Sequence, residues 1–143
     1  MAALYRLEIV TPVGSKFDGM VDNCIFRSTE GDVGILKGHS PYVAVIETGE
    51  IKIHTEDGQT RYAAASEGFV HVTGDLVRIL VSSCEWAEEI DPDQAEAEKE
   101  AARAKVAEAE TPEERDLAKY VLQKARIRRR VAKKRPDYVA NKK

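Results

Sequence analysis

The chain has 143 residues, 33% of them charged and 43% hydrophobic, with 25 acidic side chains against 22 basic ones. That length and apolar content suit one compact domain, or a small domain with an appendage, and exclude wholesale disorder. A net charge of −3 excludes a surface given over wholly to nucleic acid, and no apolar run reaches the ~18–20 residues of a membrane span. Met1–Val10 shows no signal or transit pattern, and two cysteines, Cys24 and Cys84, make no disulfide framework. The expectation is a soluble protein of a reducing compartment, bacterial or organelle-encoded.

The averages hide a boundary. All nine glycines fall before residue 75. Residues 1–86 carry a net charge of −5, residues 87–116 carry −8, and residues 117–143 carry +10. Glycine serves turns and is costly inside helices, whereas Ala, Glu, Lys and Arg are strong helix formers. The composition therefore predicts an α+β chain of the β-then-α kind: an antiparallel β-sandwich followed by an antiparallel two-helix hairpin.

Leu4–Val10 alternates, with Tyr5, Leu7 and Ile9 on one face and Arg6 and Glu8 on the other. Ile51–Thr55 and Arg61–Ala65 flank Glu56-Asp57-Gly58-Gln59, a hairpin signal in which both Asp57 and Gly58 are expected at positive φ. Phe69–Thr73 and Leu76–Val81 flank Gly74-Asp75, a second hairpin. Turns every ~8–12 residues favour a sandwich or barrel, the sandwich before the barrel, over a sheet with crossover helices.

Two helices follow, each with its start written out. Asp91 caps the first, with Pro92 at its first position and Gln94 at its third. Thr111, Pro112 and Glu114 repeat the device. The first helix is expected from Pro92 to Ala109 and the second from Pro112 to about Lys134, stopped before Pro136. Only Glu110 and Thr111 separate them, which favours an antiparallel pair. Helix one offers Ala95, Ala102, Val106 and Ala109 to the interface. Helix two offers Leu117, Tyr120, Val121, Ile127 and Val131. A buried methyl contributes only ~0.8 kcal/mol against ~1.5–3 for a whole Leu or Ile. The hairpin is therefore expected to be metastable, able to leave its resting place on the sandwich.

Catalytic groups are not in evidence. His39, His54 and His71 fall in a loop and two predicted strands without metal-ligand spacing, and none pairs with a Ser or Cys nucleophile. Cys24 and Cys84 read as buried thiols. The stretch Gly31–His39 lacks the Gly-Lys-Ser/Thr order of a phosphate loop, and no helix follows it. Seven of the ten residues 126–135 are basic. They read as a solvated helix end or as a docking surface for an acidic protein. Nucleic acid is the weakest reading, because the run holds no aromatic residue and the rest of the chain is acidic.

From Glu30 to Glu50 the sequence runs EGDVGILKGHSPYVAVIETGE: an acidic-Gly-Ile-Leu turn, a Gly-His-x-Pro step and a short apolar strand ending at Gly49. This resembles the signature segment of the epsilon subunits of bacterial and chloroplast F-type ATP synthases. The likeness takes in the opening Leu7–Pro12, the strand start Ser66–Phe69 and the alanine-rich hairpin, so it covers essentially the whole chain. Lys37 departs from it, standing where the family usually has proline.

The resemblance implies a ten-stranded sandwich (1–86) that binds the gamma subunit and the c-ring, and a regulatory hairpin (87–143). It implies a non-catalytic rotor subunit at the foot of the central stalk, coupling gamma to the c-ring during proton-driven ATP synthesis. Glu30, Asp32 and His39 then fall in a loop facing the c-ring, with Gly49 in a nearby loop. Folded, the hairpin permits rotation. Extended into the alpha/beta catalytic head, it brings Arg126, Arg128, Arg129, Arg130, Lys133 and Lys134 to acidic segments of the beta subunits and blocks ATP hydrolysis. Some bacterial members bind ATP through an Ile/Leu-Asp-x-x-Arg-Ala motif and arginines of the second helix. Here the motif reads Ile90-Asp91-Pro92-Asp93-Gln94-Ala95, with Gln94 in place of the arginine. ATP is thus expected at most as a weak regulatory ligand of Ile90, Asp91, Ala95 and Arg126, and no cofactor is required. The other expectations are no nucleic acid, no homo-oligomer, and membrane attachment only through partners. The location implied is the cytoplasmic face of the bacterial plasma membrane, or the stromal face of the thylakoid. The alternative is a free-standing nucleotide- or nucleic-acid-binding module using the basic helix.

Overall fold

A computed structural model of the chain describes residues 3–136. Nine strands come first: β1 (Tyr5–Thr11), β2 (Gly14–Ser28), β3 (Gly31–Leu36), β4 (Tyr42–Ile46), β5 (Gly49–Thr55), β6 (Thr60–Ala65), β7 (Gly68–Thr73), β8 (Leu76–Val81) and β9 (Cys84–Trp86). A short 3-10 turn, Ala87–Glu89, leads to α1 (Pro92–Glu108) and α2 (Pro112–Ala132). The chain forms two compact units that meet between Glu85 and Trp86.

The alternation in β1 buries Tyr5, Leu7 and Ile9 and leaves Arg6 exposed. At 15 residues, β2 is long enough to serve both layers of the sandwich. Its first half pairs antiparallel with β1, from Thr11 opposite Gly14 to Tyr5 opposite Val21. Its second half lies between β3 and β5, and a register shift between Val21 and Asn23 marks the change of layer. One layer is therefore β4–β7–β8–β1 with the start of β2, and the other is β3, the end of β2, β5, β6 and β9. Both contribute to the core: Phe26, Ile35 and Ile53 from one, Leu7, Ile9, Val70 and Ile79 from the other, all almost fully buried. The buried Tyr5 hydroxyl donates to the Ile35 carbonyl at 2.7 Å, which satisfies its polar end.

Three expectations change. The sandwich is not wholly antiparallel, because β1 and β8 run parallel from Arg6 opposite Leu76 to Val10 opposite Leu80. A parallel pair needs a long connection, and everything from β2 to β7 supplies it. The described residues hold nine strands where the resemblance implied ten. Gly58 has φ +85° but among the described residues no non-glycine residue has positive φ, so Asp57 does not join it there. The β5–β6 link is a longer loop, closed by Thr55 N–H donating to the Gln59 carbonyl at 2.8 Å.

In the helical unit the caps form as the sequence dictates. One Asp91 carboxylate oxygen accepts from the Asp93 and Gln94 amides at 2.9 and 3.3 Å. Thr111 Oγ1 accepts from Glu114 N–H at 3.0 Å. Glu114 reaches back past the cap to accept from Glu110 N–H at 2.9 Å. α1 ends at Glu108 and α2 at Ala132, one and two residues short of expectation. The larger difference is rotational. Leu117, Tyr120 and Val121 are exposed, and the buried positions of α2 are Ala118, Leu122, Ala125, Ile127, Val131 and Ala132. α1 buries only Ala95 and Ala102; Val106 and Ala109 are partly open.

Candidate functional site

The sequence-selected residues fall in separate places. At one end of the sandwich the β2–β3 and β4–β5 turns are joined by Ser28 pairing with Ile46 and by Glu47 N–H donating to the Arg27 carbonyl at 2.9 Å. Glu30 is exposed in the first of these turns, its amide held by Ser28 Oγ at 3.1 Å. Asp32 is not in a loop. The stretch read as a turn is the strand β3, and Asp32 faces Arg27 of β2 across it, with 3.6 Å between charged atoms. Gly49 opens β5 for a packing reason: a Cβ there would lie 2.8 Å from Arg27 Cβ. Glu47 and Glu67 are exposed nearby, Thr48 Oγ1 donating to Glu67 at 3.3 Å. This end is acidic and polar.

His39 does not belong to that cluster. It follows β3, whose six residues span roughly 17 Å at the usual strand rise. Its amide donates to the Leu36 carbonyl at 3.2 Å, and its ring meets Tyr42 edge-on at 5.4 Å between centroids. Pairing of residues 31–36 with β2 is what carries His39 to the opposite end of the strand.

A surface that sequence reasoning missed lies on the outer face of the β4–β7–β8–β1 layer. Register places Val45 opposite Phe69, Phe69 opposite Leu80, and Leu80 beside Val10. Val45, Phe69 and Leu80 are 47%, 57% and 41% exposed, and Val43 67%. The next row reads Val43, His71, Arg78, Glu8 and Asp18. Glu8 joins Arg78 at 2.8 Å and Arg6 at 3.1 Å, and Arg6 donates two hydrogen bonds to Asp18, both 2.9 Å. The Arg6 pairing holds the Asp18 carboxyl below its usual range. An apolar centre beside a satisfied charged rim is the anatomy of a protein-binding face. The signal was present in Tyr42–Ile46 and Leu76–Val81, strands apolar on both faces though one face lies outward.

In the helical unit, Arg128 pairs with Glu98 and Arg129 with Glu96, so two of the six residues expected to contact the beta subunits are held by α1. The Arg129 hydrogen bond, helped by Lys99, keeps the Glu96 carboxyl below its ordinary value. Arg126, Arg129, Arg130 and Lys133 line a cleft with Lys99 and Arg103. Lys134 lies past the helix end, its amide donating to the Val131 carbonyl at 2.9 Å. Of the nucleotide-motif positions, Ile90 and Ala95 are buried, the Ile90 carbonyl accepts from Arg135 at 3.3 Å, and Asp91 is occupied as a cap. Arg126 does not join them; it lines the cleft beside Lys99 and Arg103, one and two turns of α1 beyond Ala95.

Cys24 and Cys84 are buried free thiols, and burial pushes Cys24 up to about 11, far from a reactive thiolate. No group of three metal-ligating side chains occurs among the described residues. No helix among them is long and apolar enough to cross a membrane.

The β-sandwich domain of the ATP synthase delta/epsilon chains matches residues 4–87. The chain is 46% identical to the ATP synthase epsilon chain of Alkaliphilus oremlandii over 74% of its own length and 78% of that chain's. It is 42% identical to the epsilon chain of Ruminococcus albus over 93% and 99%, and 41% to that of Staphylococcus saprophyticus over 88% and 94%. Among solved structures, a chain of the Euglena gracilis mitochondrial ATP synthase, determined with OSCP, F1 and c-ring, superposes with a TM-score of 0.77. That pair is 26% identical and covers 86% of this chain and 78% of the other. A chain of the Tetrahymena thermophila central stalk and c-ring shares the fold, with a TM-score of 0.62 at 16% identity.

A sandwich matched in this way and followed by a helical pair defines a stalk subunit of the rotary ATP synthases. The chain belongs to the ATP synthase epsilon chain family. It is a non-catalytic subunit of the central stalk and works within the ATP synthase complex.

Proposed function

We propose that the sandwich joins the gamma subunit to the c-ring and that the hairpin restrains ATP hydrolysis. The observation that carries the first part is the apolar row Val45–Phe69–Leu80–Val10 beside the chain of ion pairs Arg78–Glu8–Arg6–Asp18. A permanent joint within a rotor needs a desolvated apolar centre, and this face offers one for gamma. The acidic end bearing Glu30, Asp32, Glu47 and Glu67 suits the polar loops of a c-ring, which it meets without entering lipid. His39, at the other end of β3, falls outside that contact.

For the hairpin, the supporting feature is the state of its cations. Opening α1 from α2 releases Arg128 and Arg129 from Glu98 and Glu96. Together with Arg126, Arg130, Lys133 and Lys134 they then form one basic surface for acidic segments of the beta subunits. ATP is a weak ligand at most, because Gln94 offers no charge for its phosphates and Asp91 is committed to the helix cap. The subunit sits on the cytoplasmic or stromal face, attached to the membrane through its partners.

The test is co-assembly. Phe69→Glu with Leu80→Glu is expected to abolish co-purification with gamma while the melting temperature of the isolated subunit stays unchanged. Full retention on gamma by that variant would overturn the assignment of this face.

A further inference from the structure

α2 carries an exposed apolar stripe that packing within the hairpin does not use. Leu117, Tyr120 and Val121 are 66%, 43% and 46% exposed on a helix otherwise rich in charge. Glu113 precedes them by four residues and Lys124 follows by three, so these positions line up along one side of the helix. The stripe therefore has an apolar centre, an acid at one end and a base at the other. Lys124 Nζ lies 5.6 Å from the centre of the Tyr120 ring. Among the described residues, neither Glu113 nor Lys124 makes an ion pair. Beside the stripe lies a groove of about 380 Å³, walled by Ala102 and Ala109 of α1 and by Leu117, Ala118 and Val121 of α2. Small side chains on one wall and larger ones on the other are what interlocking helices need.

We propose that two copies of the free subunit pair through this stripe, α2 against α2, antiparallel about a two-fold axis. Such an interface uses the same patch on both copies, so every contact occurs twice. Centred between Leu117 and Tyr120, the antiparallel alignment brings Glu113 of each copy to Lys124 of the other, because both charges stand equally far from that centre. It also sets Leu117 of one copy against Tyr120 and Val121 of the other. A parallel alignment would instead oppose like charges, which repel. The stripe thus complements itself without any change of conformation, which favours a second copy over an unrelated partner. The groove beside it is walled by both helices, so pairing stabilises the closed hairpin by mass action. For the free subunit this replaces the expectation of no homo-oligomer. None of the six cations placed against the beta subunits takes part. The stripe belongs to α2 and the gamma-binding face to the sandwich, so either assignment can fail alone.

Sedimentation equilibrium of the full chain tests the pairing. One pair of helices makes a small interface, so the expected result is a reversible dimer with a dissociation constant of about 10–100 μM. Leu117→Glu with Val121→Glu weakens it by about tenfold or more. Both positions are exposed, and far-UV circular dichroism confirms that the variant keeps its helices. Glu113→Lys or Lys124→Glu alone weakens the dimer by about threefold, and the two together restore it. Phe69→Glu with Leu80→Glu leaves it unchanged. A chain that stays monomeric at about 500 μM would overturn the pairing. So would a dimer that survives in the Leu117 and Val121 variant, or one lost in the Phe69 and Leu80 variant, since each places the contact elsewhere. A double charge swap weaker than either single change would overturn the antiparallel alignment. Co-purification with gamma is unaffected by the α2 variants, so failure here is separable from failure of the rotor reading.

Discussion

The two units of this chain are built to different standards of cohesion. The sandwich buries Tyr5, Leu7, Ile9, Phe26, Ile35, Ile53 and Ile79 almost completely. α1 buries two alanines, and Arg128–Glu98 and Arg129–Glu96 link it to α2 at positions open to water. Large apolar side chains contribute several times what a methyl does, and exposed ion pairs contribute about 1 kcal/mol or less. One unit is therefore the more cohesive, and the opening proposed for the hairpin would act on the other.

That contrast is broken most sharply by removing one of the largest fully buried side chains of the sandwich. Phe26→Ala is expected to cost about 3–5 kcal/mol and to lower the urea midpoint of the sandwich. Leu122→Ala, in a residue 7% exposed, is expected to cost about 2 kcal/mol, seen as faster amide exchange in α1 and α2 with β-strand exchange unaltered. Thr111→Ala removes the cap of α2 and is expected to cost about 1 kcal/mol, read as a small loss of helical signal on heating.

The smallest effect is that of pH. The Arg129 bond holds the Glu96 carboxyl below its ordinary 4.5. A depressed folded value means that the stabilisation is present above the unfolded value near 4.5 and is lost as pH falls through the lower folded one. Acidification below that point should loosen the hairpin, added salt should shrink the effect, and Glu96→Gln should abolish this part of it. Unchanged acid sensitivity in Glu96→Gln would remove this pair from the forces that close the hairpin.

How much of this was legible before folding depends on whether the forces were local. Asp91-Pro92 and Thr111-Pro112 announce the helices because capping needs only neighbours three residues away. The stretch Gly31–Leu36 does not announce β3, since its glycines resist a strand and only pairing with the distant β2 supplies the stabilisation. The separation of His39 from Glu30 and Asp32 follows from that one strand. The face of α2 holds at its C-terminal half, where Ile127 and Val131 are buried as expected, and is off by one residue at its N-terminal half, where burial runs through Ala118, Leu122 and Ala125 rather than Leu117 and Val121, a rotation of about 100°. Hydrophobicity pointed to the larger side chains, while close approach of the helices favours the alanines. The outer face of Val45, Phe69 and Leu80 was hidden because a strand apolar on both sides reads as buried on both. The cleft required the antiparallel pairing of α1 and α2 to bring Lys99 and Arg103 beside Arg126 and Arg130.

The most direct measurement compares ATP hydrolysis by the assembled complex carrying the full chain with that of a complex whose chain ends at Ile90. Retained assembly with faster hydrolysis is expected from a platform that binds partners and a hairpin that restrains the head. Retained assembly with unchanged hydrolysis would contradict the regulatory role of the hairpin.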